Sequence, residues 1–242
     1  MKEKIYTIPV LDALNEATEC PLCWLYSKLE REAIDFTMGP SYMENDIRDA
    51  TNKSGFCQQH VQQLYKEKNR LGLALMLHTH QMKVQKDLKS ILGKNPKISS
   101  KGLFKKKEGA ASPLKEYIDR VSNDCYICNR IEYVIARYID TFFYLWKKDP
   151  AFKDKVKASK GLCTQHFGTL YEESDKYLKS NDLEEFIGIL SELYFTNIER
   201  VQGDLDWFIT KFDYRFEKEP WKESKDALPR TIIKTNSYKL EQ

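Results

Sequence analysis

All the cysteines and two of the four histidines form one pattern that occurs twice along the chain. Each copy has a Cys-x2-Cys pair and, after 33 or 34 intervening residues, a Cys-x2-His pair whose cysteine follows a Gly-x dipeptide. The first copy contains Cys20, Cys23, Cys57 and His60, and the second contains Cys125, Cys128, Cys163 and His166. The pattern uses all six cysteines of the 242-residue chain, so it constrains the fold more than any other feature.

The two copies indicate an internal duplication. Cys125 lies 105 residues after Cys20, and Cys163 lies 106 residues after Cys57. A Leu-Tyr pair at 64–65 returns at 170–171, again with an offset of 106 residues. A spacing that changes by a single residue over so many matched positions is typical of a repeated structural unit.

Three cysteines and one histidine are a standard closed ligand set for Zn²⁺, which accepts four ligands in a tetrahedron. A Cys-x2-Cys turn brings two sulfurs to one ion, and positions i and i+3 of a helix bring a cysteine and a histidine to one face. We therefore predict two zinc sites whose four ligand positions are all filled by protein, which is typical of structural zinc. An iron–sulfur cluster is the main alternative for these ligands, and disulfides or plain core cysteines are the remaining ones.

The sequence leaves open which ligand pairs share an ion. The similar internal spacing of the copies favours pairing within each copy, so that the first Cys-x2-Cys pair would join Cys57 and His60. In the alternative, exchanged arrangement it would join Cys163 and His166. In either case the spacing is wider than in a small nucleic-acid finger, and it indicates a clip between two helix starts.

Helical periodicity extends through both halves, and we predict an all-α fold. Apolar residues at 127, 131, 134, 138, 142 and 145 recur at spacings of three and four, which places them on one helical face. No stretch alternates with the period of two expected of a strand. The predicted order is a helical Cys3His unit at 1–92, a basic linker at 93–112, a second such unit at 113–212 and an extended C-terminal strap at 213–242.

Composition and charge argue against several classes of protein. Hydrophobic residues make up 41% of the chain, enough for a packed core, and a net charge of +3 is too balanced to indicate a nucleic-acid or membrane binder. The first residues do not resemble a signal peptide, and no apolar run is long enough to span a membrane. We therefore expect a cytoplasmic protein with no membrane contact, in which reduced thiols are available for metal.

Lysines are concentrated in the predicted linker. The residues of this possible anion-binding cluster are Lys101, Lys105, Lys106 and Lys107. Because Phe104 lies among them, an anion- or RNA-binding loop is an alternative to a solvated linker. The solvated linker is the favoured interpretation.

Catalytic motifs are missing from the sequence. It contains no Gly-rich phosphate loop, no Gly-x-Ser-x-Gly elbow and no His-Glu-x-x-His. His78 and His80 would point in different directions on a helix, so we expect one exposed and one partly buried histidine. No catalytic residue is predicted, and an enzyme is not favoured.

The motifs resemble those of a bacterial domain-of-unknown-function family. The likeness is carried by Cys-Pro-Leu-Cys at 20–23, Gly-Phe-Cys-x2-His at 55–60, their second copies, and the tail segments 207–215 and 226–230. It covers nearly the whole chain and implies no established activity. Some members carry an ABC-transporter substrate-binding label, but such a protein needs an export signal and normally an α/β fold, so that label is not carried over.

Together these features predict a non-enzymatic, zinc-stabilised helical protein that acts as an interaction module or adaptor for another protein. Three alternatives remain. The first is a redox or metal sensor whose thiolates release zinc on oxidation. The others are a nucleic-acid binder that uses the basic loop at 94–107 and an iron–sulfur protein.

Overall fold

The computed structural model describes residues 3–93 and 111–237, with side chains from residue 5 onward. Within these residues the chain forms eleven α-helices, two short 3₁₀ turns and no strand, which confirms the predicted all-α class. The helices are α1 Glu3–Asn15, α2 Pro21–Met38, α3 Asn45–Ser54, α4 Gln58–Lys66, α5 Arg70–Gly93, α6 Pro113–Asn123, α7 Tyr126–Lys148, α8 Pro150–Ala158, α9 Thr164–Tyr177, α10 Ser180–Thr210 and α11 Ala227–Asn236. No candidate membrane-spanning helix occurs among the described residues.

The basic cluster predicted at Lys101, Lys105, Lys106 and Lys107 lies outside the described residues. The anion-binding interpretation of these lysines therefore stays a prediction.

The chain divides into two compact units that do not coincide with the two sequence copies. One, the terminal unit, consists of Met1–Leu29 and Tyr133–Gln242, and the other, the central unit, consists of Glu30–Glu132. The boundaries fall within α2 and α7. Each unit therefore contains ligand residues from both sequence copies, which decides how the cysteines are grouped.

The terminal unit has an aromatic core where α7, α8 and α10 meet. Phe143 and Phe152 of this core are fully buried, and Trp146 and Phe186 are each 1% exposed. The Phe186 ring lies edge-on to Phe143 and Trp146, with centroids 5.2 and 5.0 Å apart. Edge-to-face packing of this kind adds about 0.5–1.5 kcal/mol per pair to the free energy of burial.

The central unit has an aliphatic core around α5. Its buried members, contributed by α2, α4 and α5, are Ile34, Met38, Leu64, Leu73 and Met76. Tyr42 and Phe56 pack against this cluster from the segments beside it. Because Phe56 immediately precedes a ligand cysteine, the core fixes the start of α4, where that ligand lies.

The C-terminal strap is partly helical, because it includes α11, which packs on α9 and α10. The buried positions of α11 are Ala227, Arg230 and Lys234, at helical spacing. Two of the three are charged, so the apolar periodicity that indicates a helix is absent from this stretch. Their burial depends on ion pairs and hydrogen bonds, which the sequence pattern does not reveal.

Matching cysteines of the two sequence copies lie at equivalent positions of helix starts. α2 and α7 each start directly after the first cysteine of a Cys-x2-Cys pair, and α4 and α9 each have the cysteine of a Cys-x2-His pair as N-cap. Gly55 and Gly161 precede these N-caps with φ of +66° and +72°. Residues with a Cβ atom rarely adopt a positive φ, which explains why glycine recurs two positions before the N-cap cysteine.

Replacing Gly55 with alanine is expected to lower the free energy of unfolding by about 1–3 kcal/mol, because the new Cβ adopts a strained backbone conformation. That Cβ would also lie 2.7 Å from the His80 ring. Denaturant unfolding of the Gly55→Ala variant measures the loss. Gly168→Ala is the matched control, since nothing lies within 4 Å of a Cβ there, inside α9. A Gly55→Ala variant as stable as wild type would contradict this account.

Candidate metal centres

The eight predicted ligands converge in two groups of four. The first, called the buried cluster, contains Cys20, Cys23, Cys163 and His166. The second, called the half-buried cluster, contains Cys57, His60, Cys125 and Cys128. Within each cluster the four ligand atoms lie within 4.8 Å of one another. Each cluster lies within one compact unit, the buried cluster in the terminal unit and the half-buried cluster in the central unit.

The prediction that ligands pair within each sequence copy is wrong, and the exchanged arrangement is the observed one. The equal spacing of the copies does not discriminate, because both copies offer equivalent half-sites. Loop entropy discriminates only weakly, since closing a loop of 140 positions instead of about 35 costs about 1.2 kcal/mol more. Packing of the helices into the terminal and central units therefore decides the pairing.

The buried cluster is almost sealed from solvent. Cys20 and Cys163 are fully buried, and Cys23 and His166 are 8% and 5% exposed. The three sulfurs lie 3.4, 3.3 and 3.1 Å from the Nδ1 atom of His166, in the chain order of the cysteines. Two of them, the Sγ atoms of Cys23 and Cys163, are 3.6 Å apart.

The half-buried cluster has the same donor atoms in a more open position. His60 and Cys125 are buried, whereas Cys57 and Cys128 are half-buried. The three sulfurs lie 3.2 to 3.3 Å from the Nδ1 atom of His60. The Sγ atoms of Cys57 and Cys128 are 3.9 Å apart.

These distances fit one tetrahedral ion in each cluster. Bond lengths of about 2.3 Å to sulfur and about 2.0 Å to nitrogen separate two sulfurs by about 3.8 Å and a sulfur from nitrogen by about 3.5 Å. The sulfur–sulfur distances of 3.6 and 3.9 Å lie on either side of the first value. The sulfur–nitrogen distances of 3.1 to 3.4 Å are slightly shorter than the second.

The electrostatics of the buried cluster favour a cation. A hydrogen bond to the Cys163 sulfur raises the pKa of Cys23 well above its ordinary value. Hydrogen bonds from Cys20 and Cys23 hold the pKa of Cys163 well below its ordinary value. Ionisation of Cys163 is thus favoured and that of Cys23 opposed, and a divalent ion would allow the sulfurs to lose their protons together.

In the half-buried cluster, too, neighbouring cysteines have pKa values shifted in opposite directions. Burial opposes ionisation of Cys125, but the hydrogen bond with His60 lowers its pKa to about 6. Burial and the charge of Cys125 raise the pKa of Cys128 above its ordinary range. Burial also opposes protonation of His60, yet its bonds to Cys125 and Glu30 raise its pKa to about 10. A metal ion would replace the protons that this cluster retains.

Glu30 orients the histidine of the half-buried cluster. Its Oε1 atom lies 3.0 Å from the Nε2 atom of His60, on the opposite side of the ring from the sulfurs. The hydrogen bond to His60 is the main cause of the lowered pKa of Glu30. A carboxylate that accepts the Nε2 proton leaves Nδ1 free as the metal-facing atom, which is the usual second-shell arrangement in histidine metal sites.

In the buried cluster an aromatic ring contacts the histidine. Tyr26 stacks on His166 with ring centroids 5.2 Å apart and planes 26° from parallel. The two centres thus have the same donor atoms but different surroundings: a ring stacks on one imidazole, and a carboxylate accepts from the other.

Lys234 of α11 joins the two chain segments that supply the buried cluster. Its Nζ atom is buried and donates to the backbone oxygen of Glu19 at 2.7 Å and that of Leu162 at 3.5 Å, the residues just before Cys20 and Cys163. The Glu19 carboxylate lies 3.4 Å from Nζ and 2.5 Å from Arg200. Burial lowers the pKa of Lys234, and the charge of Glu19 opposes that shift.

Sequence reasoning missed Glu30 and Lys234. Glu30 lies on the polar side of an amphipathic helix, where carboxylates are ordinary, and its partner His60 is 30 positions away in sequence. Lys234 lies in a segment with little periodicity. The nearest signal in the sequence is the tail segment 226–230, which contributes to the family resemblance.

The structure also places the remaining histidines. His78 is exposed, and His80 is half-buried with its Nδ1 atom 2.9 Å from the backbone oxygen of Asn52. This agrees with the expected pair of one exposed and one partly buried side chain. His80 lies against Gly55, so it supports the loop before Cys57 and is not among the grouped ligands.

The chain belongs to a family of unknown function (DUF6062), whose profile matches residues 1–242. No curated protein and no solved structure matches the chain significantly.

Glu30→Gln is expected to weaken metal binding at the half-buried cluster about 10–100-fold, because an amide is a weaker acceptor for the His60 Nε2 proton. The buried cluster should keep its affinity, since Glu30 contacts His60 of the other cluster. Competition titration with a chromogenic chelator resolves the two affinities. Glu32→Gln is the control, because Glu32 is exposed on the same helix. Equal weakening of both sites would contradict the role given to Glu30.

Proposed function

We propose that the protein binds two Zn²⁺ ions, one in each Cys3His cluster, and that these ions stabilise its helical units. The observation that carries the proposal is the convergence of eight ligand atoms into two groups of tetrahedral size. Soft thiolates combined with one imidazole are a ligand set that zinc prefers. Zinc bound in this way would supply fixed cross-links and charge compensation for the thiolates.

The compactness of the clusters supports a single ion over an iron–sulfur cluster. A cluster of several irons distributes its protein ligands over different metal atoms and so holds them farther apart. Here every pair of ligand atoms within a group lies within 4.8 Å. Zinc is therefore the proposed metal, and the iron–sulfur alternative is an outcome of the metal analysis below.

A structural role for the ions follows from where the ligands lie in the chain. Cys23 and Cys163 are 140 positions apart, and Cys57 and Cys128 are 71 positions apart. Binding of structural zinc contributes about 10–16 kcal/mol in small domains, far more than the few kcal/mol needed to close such loops. Four protein ligands at each ion would leave no open position for a substrate, which favours a non-enzymatic protein.

We further propose that the protein is a cytoplasmic interaction module that binds another protein. Three large side chains near the end of α10 support this: Ile209, Phe212 and Tyr214 are 61%, 75% and 84% exposed. Exposed apolar groups concentrated in a short stretch are typical of protein-binding surfaces.

The segment that carries these side chains is held firmly. The Nζ atom of Lys211 is buried and donates to the backbone oxygens of Phe216, Glu217 and Glu219 at 2.6, 2.7 and 2.6 Å. A surface fixed before binding loses less conformational entropy when a partner docks. The turn after α10 therefore suits recognition better than a loose tail would.

Redox sensing is a second candidate, favoured by one observation. The cysteines of the two clusters differ in exposure: Cys57 and Cys128 are half-buried, and the other four, which the structure also describes, are buried. A solvent-accessible thiolate is the more susceptible to oxidants.

Metal analysis of protein purified without chelators is expected to give two zinc ions per chain. Replacement by Co²⁺ should produce the intense d–d absorption of tetrahedral cobalt with thiolate ligands. Iron with equimolar sulfide, or protein without stoichiometric metal, would overturn the zinc assignment.

Cys57→Ala is expected to reduce the zinc content from two ions to one and to lower stability by several kcal/mol, because metal binding contributes to folding. Metal analysis and thermal unfolding measure the two effects. Gln58→Ala is the control, since Gln58 is exposed in the same turn and its side chain is not a grouped ligand. A Cys57→Ala variant with two zinc ions and an unchanged Tm would refute the ligand assignment.

A photoreactive benzoylphenylalanine in place of Phe212 is expected to form one discrete protein adduct in cells. The same residue in place of Tyr133, which is 60% exposed, should not form it. The adduct should disappear when Tyr214→Ser is added, because that change removes a neighbouring anchor. Identical adducts at both positions, or none at 212, would count against the interaction module and leave the zinc assignment untouched.

A further inference from the structure

We propose that the half-buried cluster is a reversible oxidation site, at which a peroxide converts Cys57 and Cys128 to a disulfide and the zinc ion leaves. The buried cluster keeps its zinc under the same conditions. This inference rests on the proposed zinc binding and assigns a regulatory role to one of the two sites.

The first argument is the difference in access between two sites with the same donor atoms. In the buried cluster Cys20 and Cys163 have no exposed surface and Cys23 is 8% exposed. In the other cluster two of the three sulfurs belong to half-buried residues. The donor atoms are the same in both clusters. We therefore attribute the difference in reactivity toward peroxide to the solvent exposure of the sulfurs.

The C-terminal segment contributes to this difference, because it contacts the buried cluster. The Oγ atom of Ser237 lies 3.0 Å from the sulfur of Cys163, and the Ser237 backbone oxygen lies 3.9 Å from the sulfur of Cys23. Lys234 holds the same segment against the backbone before Cys20 and Cys163. A peroxide would have to displace this cover to reach a sulfur there.

The second argument is the geometry of the accessible pair. The Sγ atoms of Cys57 and Cys128 are 3.9 Å apart, so they must approach by about 2 Å to form a bond of about 2.05 Å. The two cysteines lie at the N-cap of α4 and in the first turn of α7. Side-chain rotation at two helix ends can supply such a shift without unpacking either helix.

The reaction balances with a peroxide as the two-electron oxidant. A thiolate sulfur attacks one peroxide oxygen, the O–O bond breaks, and a sulfenic acid forms as hydroxide leaves. The second thiolate attacks that sulfur, an S–S bond forms, the S–O bond breaks, and a second hydroxide leaves. The two sulfurs are oxidised, the peroxide is reduced, and zinc leaves as Zn²⁺ after losing two of its four ligands.

Two contacts of the half-buried cluster do not involve the metal. The backbone N–H of Tyr126 donates to the backbone oxygen of Gly55 at 3.0 Å, which ties the two ligand loops to each other. Glu30 still orients His60 through Nε2. Reduction of the disulfide would therefore restore a site ready to bind zinc again.

The test uses the full-length protein loaded with two zinc ions and treated with hydrogen peroxide. Zinc release is followed with a chromogenic chelator, and disulfides are mapped by mass spectrometry after alkylation of the remaining thiols. One zinc equivalent is expected to leave at least about tenfold faster than the other, with a Cys57–Cys128 disulfide as the first product. Dithiothreitol and added zinc should restore two equivalents.

The Cys128→His variant is a second test, because it removes one sulfur of the proposed disulfide and keeps a metal ligand at that position. Its zinc should be released at least about tenfold more slowly by peroxide than wild type releases its first equivalent, with no disulfide. If this variant does not bind zinc, the disulfide mapping of the wild-type protein is the deciding measurement. Parallel loss of both ions, or a first disulfide involving Cys20, Cys23 or Cys163, would overturn the inference. Protein that never holds two zinc ions would instead overturn the proposed zinc binding.

Discussion

Crowding of three sulfurs around one imidazole nitrogen is the interaction on which each unit depends. With sulfurs 3.6 to 3.9 Å apart, ionisation of one thiol opposes ionisation of the next, as the raised pKa values of Cys23 and Cys128 reflect. The folded chain nevertheless brings these groups together and orients both histidines with Nδ1 toward the sulfurs. A cation would offset the cost of this arrangement, and its binding would then contribute to the folding free energy.

The two clusters have the same donor atoms in different surroundings. Both have three cysteines, one histidine whose Nδ1 atom faces the sulfurs, and a glycine with positive φ before the N-cap. They differ in the contacts of the imidazole and in the cover over the sulfurs: Glu30 accepts from His60, and Ser237 lies on Cys163. Identical ligands in surroundings of different access are a simple route to one permanent and one responsive site.

The sequence predicted the all-α class and the identity of the grouped residues, because helical periodicity and ligand spacing are local signals. The pairing of half-sites was predicted incorrectly, since equal spacing in both copies leaves Cys163 and Cys57 equivalent partners for Cys20. α11 was expected as extended chain, because its buried face contains Arg230 and Lys234 in place of apolar residues. Glu30 and Lys234 act over long sequence distances, which no local pattern encodes.

The discontinuous terminal unit has a consequence for synthesis on the ribosome. The central unit, Glu30–Glu132, has all four of its ligands once residue 128 has been made. The terminal unit needs Cys163 and His166 for its ligand set, and Lys234 to bridge the backbone before them. Since units fold as their last segment emerges, Cys20 and Cys23 wait as free thiols while most of the chain is translated. The earliest cysteines of the chain are thus the last whose partner ligands are synthesised.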